Sequence, residues 1–347
     1  MKDIFSQRLK SARIKAGFSQ QELAVHLAVT KQTVSKYENG KMLPGSTLLI
    51  QIASVLGQKA DYFFRPFTIS LENVEFRKRD RLGERSVESI KIEVADHLER
   101  YLELEELLHV PSSFDNPLKN TMVQSPEEVE DLAIQLLLHW QTGINPVSNV
   151  VELLEDKGVK VVEIDADPDF DGLSAWVKGN VPVIVLNHSM HDMVRKRFTA
   201  LHELGHLLLN IPSGIQPKIR EKICHRFAGA LLMPKPIFFA ELGEKRHGIT
   251  LNELFEIKAS YGISIQAIMY RAGDLKIIPK AVADRFWELA RQNKLEIGWG
   301  KYEGKEASGR FRQLLYKALA EEVVSIGKAA ALANTSVGEL KNHLQLI

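Results

Sequence analysis

Arg197-Phe198-Thr199-Ala200-Leu201-His202-Glu203-Leu204-Gly205-His206-Leu207-Leu208 reads as one helix, and it decides what the second half of the chain is built to hold. Two histidines four residues apart on a helix share a face, one turn apart, so His202 and His206 can bind one metal ion. Glu203, between them, is placed to accept a proton from a metal-activated water. Leu201, Leu204, Leu207 and Leu208 give the helix an apolar side that buries it. The plain alternative is a buried helix with two satisfied histidines, and the surrounding sequence decides between them.

A catalytic zinc keeps three protein ligands and one open position, so the motif needs a partner from elsewhere. Glu221 lies fifteen residues after His206, in a helical stretch that ends at Leu231-Leu232-Met233-Pro234. That separation lets the chain turn back and complete a His₂Glu set. His225, one turn beyond Glu221 on the same face, is the rival ligand; the preferred reading is that it supports the ligands or donates to a transition state. Three short strands are expected ahead of the motif, at 159–164, 172–177 and 182–187, the last two joined by a turn at Lys178-Gly179-Asn180. Strands followed by a metal-binding helix make an α+β domain. An edge strand beside the cleft offers a surface on which an extended substrate backbone can pair.

These residues carry a resemblance. The stretch 197–206, Glu221 through Pro234, Gly172-Leu173-Ser174-Ala175 and Ile184-Val185-Leu186-Asn187 resemble the ImmA/IrrE family of zinc metallopeptidases, over about residues 125–275. The resemblance implies a zincin-like fold with a small sheet and Zn²⁺ as cofactor. It implies His202, His206 and Glu221 as ligands and Glu203 as general base. It also implies a protein substrate, because family members cleave repressor proteins to switch on phage, mobile-element or stress genes. One departure stands out: the position after Cys224, often Asn or Asp in the family, is His225 here.

The N-terminal stretch is organised differently. The first 60 residues hold nine Lys or Arg against Asp3, Glu22 and Glu38, a surplus of six in a chain whose formal net charge is only +1. A basic first domain on an otherwise acidic chain points to a polyanion partner for that domain. Ile4, Phe5, Leu9, Ala12 and Ile14 outline an amphipathic helix that stops at Gly17. Ser19 and Glu22 form a capping box that starts a second helix, and Thr30 caps a third that runs to about Asn39. Helices at 48–56 and 61–64 complete a five-helix, all-α unit. The second and third helices form a helix-turn-helix whose second member enters the DNA major groove, with Lys31, Gln32, Thr33, Ser35 and Lys36 on its exposed side. Gln20, at the start of the preceding helix, is placed to bond a phosphate. Phe18-Ser19-Gln20-Gln21-Glu22-Leu23-Ala24 and Thr33-Val34-Ser35-Lys36-Tyr37-Glu38-Asn39-Gly40-Lys41 closely resemble the Xre (phage-repressor-like) helix-turn-helix family. The resemblance implies double-stranded DNA, an operator, as partner.

The expected domains are 1–65 (helix-turn-helix), 66–124 (helical linker), 125–278 (metallopeptidase) and 279–347 (a helical C-terminal region). Within the linker, Arg77-Lys78-Arg79-Asp80-Arg81 reads as a solvated basic turn, and 86–108 as a long helix packing its apolar stripe on the following domain with an acidic face in water. No apolar run is long enough to span a bilayer, and the first residues lack a signal-peptide core. Cys224 is the only cysteine, so no intrachain disulfide and no cysteine-based zinc site can form. A cytoplasmic protein without a membrane partner is the expectation, with a second copy of the chain, as a homodimer, left open. Two readings result: a DNA-binding regulator that is also a zinc endopeptidase cutting a repressor, or an Xre-type or antitoxin-like regulator whose peptidase fold serves as sensor or dimerisation scaffold.

Overall fold

The computed structural model describes residues 2–69, 83–110 and 113–344, so the basic run at 77–81 lies outside the described residues. In chain order the helices begin with α1 (Lys2–Lys15), α2 (Gln20–His26), α3 (Lys31–Glu38), α4 (Ser46–Val55) and α5 (Glu84–Leu107). Next come α6 (Val129–His139) and α7 (Val150–Asp156), then strands β1 (Lys160–Ile164), β2 (Gly172–Val177) and β3 (Val181–Asn187). The remainder is helical: α8 (Met193–Leu208), α9 (Pro217–Leu232), α10 (Lys235–Leu242), α11 (Leu251–Tyr261), α12 (Ile265–Asp274) and α13 (Lys280–Gln292). The last three are α14 (Arg310–Ala320), α15 (Ile326–Leu332) and α16 (Val337–His343). Two compact units result, one of residues 1–112, 176–180 and 309–347, the other of 113–175 and 181–308.

In the first unit the capping box forms as read: Ser19 Oγ accepts from the Glu22 amide at 3.1 Å, and Glu22 Oε2 accepts from the Ser19 amide at 2.6 Å. Ala28, at φ 51°, makes the tight turn between α2 and α3. Phe5, Leu9, Leu23, Val34, Ile52 and Phe63 close the core without residual exposure. The expected fifth helix, at 61–64, is a 3₁₀ turn over Ala60–Phe64. Pro66 explains the stop, because the residue before proline is driven out of the helical region, and Arg65 is extended at ψ 126°.

The long helix α5 differs from its reading. Its stripe of Ile90, Val94, Leu98 and Tyr101 is buried as expected. It packs on α1, α14 and α15 rather than on the following domain. Part of its acidic face is not in water, although Glu88 and Glu106 are exposed. Glu99 is 5% exposed and accepts from Arg8 Nη2 at 2.7 Å and from the Thr68 amide at 3.1 Å. Asp96, 4% exposed, pairs with Arg65 and Arg100. Burial alone would raise the Asp96 carboxyl, but Arg100 and Arg65 outweigh it and hold it below its usual value. Helical periodicity treats a carboxylate as solvated. Guanidinium partners distant in sequence reverse that here.

In the second unit the sheet order is β1-β3-β2, with β1 parallel to β3 from Lys160 opposite Val183 to Ile164 opposite Asn187. Every residue of the central strand β3 is buried, in keeping with its apolar run Val183-Ile184-Val185-Leu186. Helix α8 packs on β3 and α9, and α9 packs in turn on α6. Glu130 of α6 ties three helices together, accepting from Arg271 Nη2 at 2.7 Å and Arg226 Nε at 2.9 Å. Burial would raise its carboxyl, yet the hydrogen bonds from Arg271 and Arg226 lower it from 4.5. A folded-state value below the unfolded one contributes stability that is complete above about pH 4.5 and is lost as pH falls. Glu130→Gln should therefore flatten the acid limb of a melting-temperature profile. An unchanged limb would remove Glu130 from the account.

Candidate functional site

Helix α8 is started by Asp192, whose Oδ1 accepts from the amides of Val194 at 3.0 Å and Arg195 at 3.2 Å. Two glycines then set how closely its neighbours approach. A Cβ at Gly205 would stand 3.3 Å from the Cys224 Cα and from the Phe227 ring, so α9 lies close against the motif. A Cβ at Gly172 would stand 2.8 Å from the Val185 carbonyl oxygen and 2.9 Å from Thr199 Cγ2. Hydrogen therefore stands where the sheet meets α8.

The close packing of α8 and α9 brings the metal-binding atoms together. His202 Nε2 and His206 Nε2 are 3.1 Å apart, and the two Glu221 oxygens lie 3.3 Å from one ring each. Ligands held tetrahedrally at zinc bond lengths stand about 3.3 Å apart, so this nitrogen–nitrogen–carboxylate set fits such an ion. Hydrogen bonds from His202 and then His206 hold the Glu221 carboxyl far below its usual range. The rival His225 is exposed. It offers a ligand atom that, with those of His202 and Glu221, falls inside a 4.8 Å cluster. The His225 ring stacks on Phe198 at 5.5 Å and lies 4.3 Å from that of His202.

Glu203 is 3% exposed and accepts from Ser174 Oγ at 2.8 Å. Ser174 was not singled out from the sequence. Its signal was a hydroxyl on an otherwise apolar strand, since β2 buries this residue almost completely. Cys224, buried as expected, places its sulfur 3.3 Å from His206 Nδ1. This contact orients the imidazole so that Nε2 faces Glu221.

On the N-terminal unit, Lys31, Gln32 and Lys36 are exposed on α3, and Thr33 and Ser35 partly so. Val34 and Tyr37 face the core. Arg8, Arg13 and Lys59 bond inward, to Glu99, to Glu38 and to the carbonyls of Ala330 and Thr335. The side chains of Lys31 and Lys36 make no hydrogen bond or ion pair among the described residues. Gln20 is less free than its reading held, because its amide donates to Glu38 Oε2 at 2.7 Å.

Two separate stretches of the chain match family models of known proteins. Residues 9–63 match the helix-turn-helix family model, and residues 154–272 match the IrrE N-terminal-like domain, a peptidase family. The chain thus joins a helix-turn-helix domain to an IrrE-like domain. An SPbeta prophage-derived HTH-type transcriptional regulator of Bacillus subtilis, YonR, is 37% identical over 62 residues, which are 18% of this chain and 57% of that protein. The 26 kDa repressor protein of Escherichia phage HK022 is 43% identical over 65 residues, 18% of this chain and 28% of the repressor. The chain therefore spans little more than half of one of these relatives and under a third of the other. The solved apo form of ComR from S. thermophilus aligns over 99% of this chain and 100% of its own at 13% identity, with a TM-score of 0.18. Among the described residues no helix is long and apolar enough to cross a membrane.

Proposed function

We propose that this chain is a DNA-binding transcriptional regulator whose second domain is a zinc-dependent endopeptidase, with a repressor protein as its substrate. The observation that carries the reading is the convergence of His202, His206 and Glu221 at 3.1–3.3 Å with Glu203 buried beside them. The IrrE-like match supports the peptidase class, and the names of the two relatives support transcriptional control. The three side chains would hold Zn²⁺, which when bound supplies Lewis acidity to the scissile carbonyl and to water. Glu203 takes the proton of the attacking water and returns it to the leaving amine. Ser174 keeps one carboxylate oxygen fixed by its hydrogen bond. Incubating candidate repressors with the purified chain, with and without chelator and alongside metal analysis, tests the proposal. A zinc-loaded chain that cuts nothing would favour the scaffold reading.

For the first domain we assign the exposed face of α3, with Lys31, Gln32 and Lys36, to an operator in double-stranded DNA. Glutamine bonds adenine bidentately, and each such contact discriminates by about 1–3 kcal/mol. Lys36 adds attraction to phosphate that weakens with salt. Gln32→Ala combined with Lys36→Ala should abolish sequence-specific binding in a mobility-shift titration, while Gln20→Ala should act through the Glu38 network and lower thermal stability instead. Unchanged affinity in the double variant would overturn the assignment.

A further inference from the structure

A cavity of about 490 Å³ lies wholly within the first unit and has the size of a small-molecule site. Its walls come from the end of α1, from α5, from α14 and from the turn between α15 and α16. Arg100 of α5 fastens two of these walls together. It donates to the Leu332 carbonyl oxygen at 2.8 Å and pairs with Asp96 at 3.3 Å.

The lining is both apolar and cationic. Phe311 and Leu315 supply hydrocarbon, and the His97 ring lies 5.3 Å from that of Phe311. Burial, then the neighbouring Arg100, pushes the His97 imidazole down to about 3, so at neutral pH it is uncharged, with one donor and one acceptor nitrogen. It makes no hydrogen bond among the described residues. Of the charged lining residues, Lys15, Arg100 and Arg312 are cations and Glu93 is the acid. The exposed Arg312 makes no hydrogen bond or ion pair among the described residues. Lys15 Nζ stands 3.9 Å from both Glu93 and Asp96, too far to donate to either. An apolar wall with a neutral ring edge, beside two cations with donors to spare, suits a planar hydrocarbon body that carries one negative charge.

We infer that this cavity binds a small aromatic carboxylate, and that its occupancy regulates the DNA-binding helices. The regulatory half rests on the DNA reading given above. Lys15 is the last residue of α1, whose Phe5, Leu9 and Ala12 belong to the helix-turn-helix core. Thr335, also in the lining, accepts from Lys59 Nζ through its carbonyl oxygen, and Lys59 donates to the Ala330 carbonyl oxygen as well, at 2.9 Å. A carboxylate drawn to Lys15, with its ring against the 333–335 turn, therefore touches both places where the helix-turn-helix bundle is fastened. Such a ligand shifts DNA affinity by the difference in its own affinity for the two states, and the coupling is reciprocal.

Titration calorimetry on the full chain tests the site with benzoate, phenylacetate and indole-3-acetate, each beside its uncharged amide. At least one acid should bind one-to-one and exceed its amide by about tenfold, the lower range for a charge-assisted hydrogen bond. Arg312→Glu, a change at an exposed side chain, should erase that advantage and leave the melting temperature near wild type. Ala333→Phe, which fills the space from a partly exposed wall, should abolish binding of the same acid. Duplexes selected by the chain from a random pool give the second readout. Saturating acid should change their affinity by about fivefold or more, and the duplex should change acid affinity by the same factor. Absence of saturable binding by all three acids, equal affinity for acids and amides, or full affinity in both variants would overturn the site. Binding that leaves duplex affinity unchanged overturns the regulation. A chain that selects no duplex loses the DNA reading and the regulation with it, while the calorimetry still decides the site.

Discussion

Glu203→Gln is expected to keep its metal and lose cleavage by about 10²–10⁴-fold, the range that a positioned general base contributes. Glutamine keeps the shape of the side chain and can still accept from Ser174 Oγ, which lies 2.8 Å from the carboxylate. The amide cannot take up a proton at the attacking water. Glu203 is not one of the three side chains that converge at 3.1–3.3 Å, so zinc stoichiometry measured by mass spectrometry should match wild type. Loss of metal in this variant would make Glu203 structural. Retained cleavage at full metal occupancy would remove it from the chemistry.

The second large effect is on stability. Arg197→Ala is expected to cost about 3–5 kcal/mol, because it strips the partner from a carboxylate with no access to water. Arg197 Nη1 lies 2.6 Å from Glu306 Oε1, and neither side chain is exposed. The same guanidinium also donates to the carbonyl oxygens of Val147 and Ser148, at 2.6 and 3.2 Å, tying α8 to the turn before α7. Even with its partner present, burial raises the Glu306 carboxyl above 4.5. A raised folded value means that stability is lost as pH rises, so the variant should recover part of its deficit on acidification. Urea unfolding at neutral and mildly acidic pH measures both. The double variant Arg197→Ala with Glu306→Gln should be less damaged than Arg197→Ala alone. A single-variant loss under about 1 kcal/mol would mean that water reaches the carboxylate.

The two histidines and the glutamate between them were legible because helix geometry relates residues 202, 203 and 206 locally. Glu221 was legible only as one of two rivals, since the fourteen residues between it and His206 leave its direction open. The contacts that Gly205 allows between α8 and α9 bring both Glu221 oxygens to the imidazoles and leave His225 exposed beside them. Ser174 escaped notice because its role depends on which residue of α8 lies beneath β2. Strand alternation says only that its side chain points inward.

Caps, periodicities and the H-E-x-x-H spacing are interactions over four residues or fewer, and from them the sequence by itself determined two kinds of unit: a helix-turn-helix bundle and a metal-binding helix preceded by strands. What α5 does with its carboxylates was decided by tertiary structure alone. Glu99 and Asp96 have the composition of a solvated face, yet Arg8 and Arg65, some 91 and 31 residues away along the chain, bury them. Local sequence sets the conformation of a segment because its hydrogen bonds close nearby. The environment of a charge is set by whatever the fold brings against it, and that partner carries no mark of its distance along the chain.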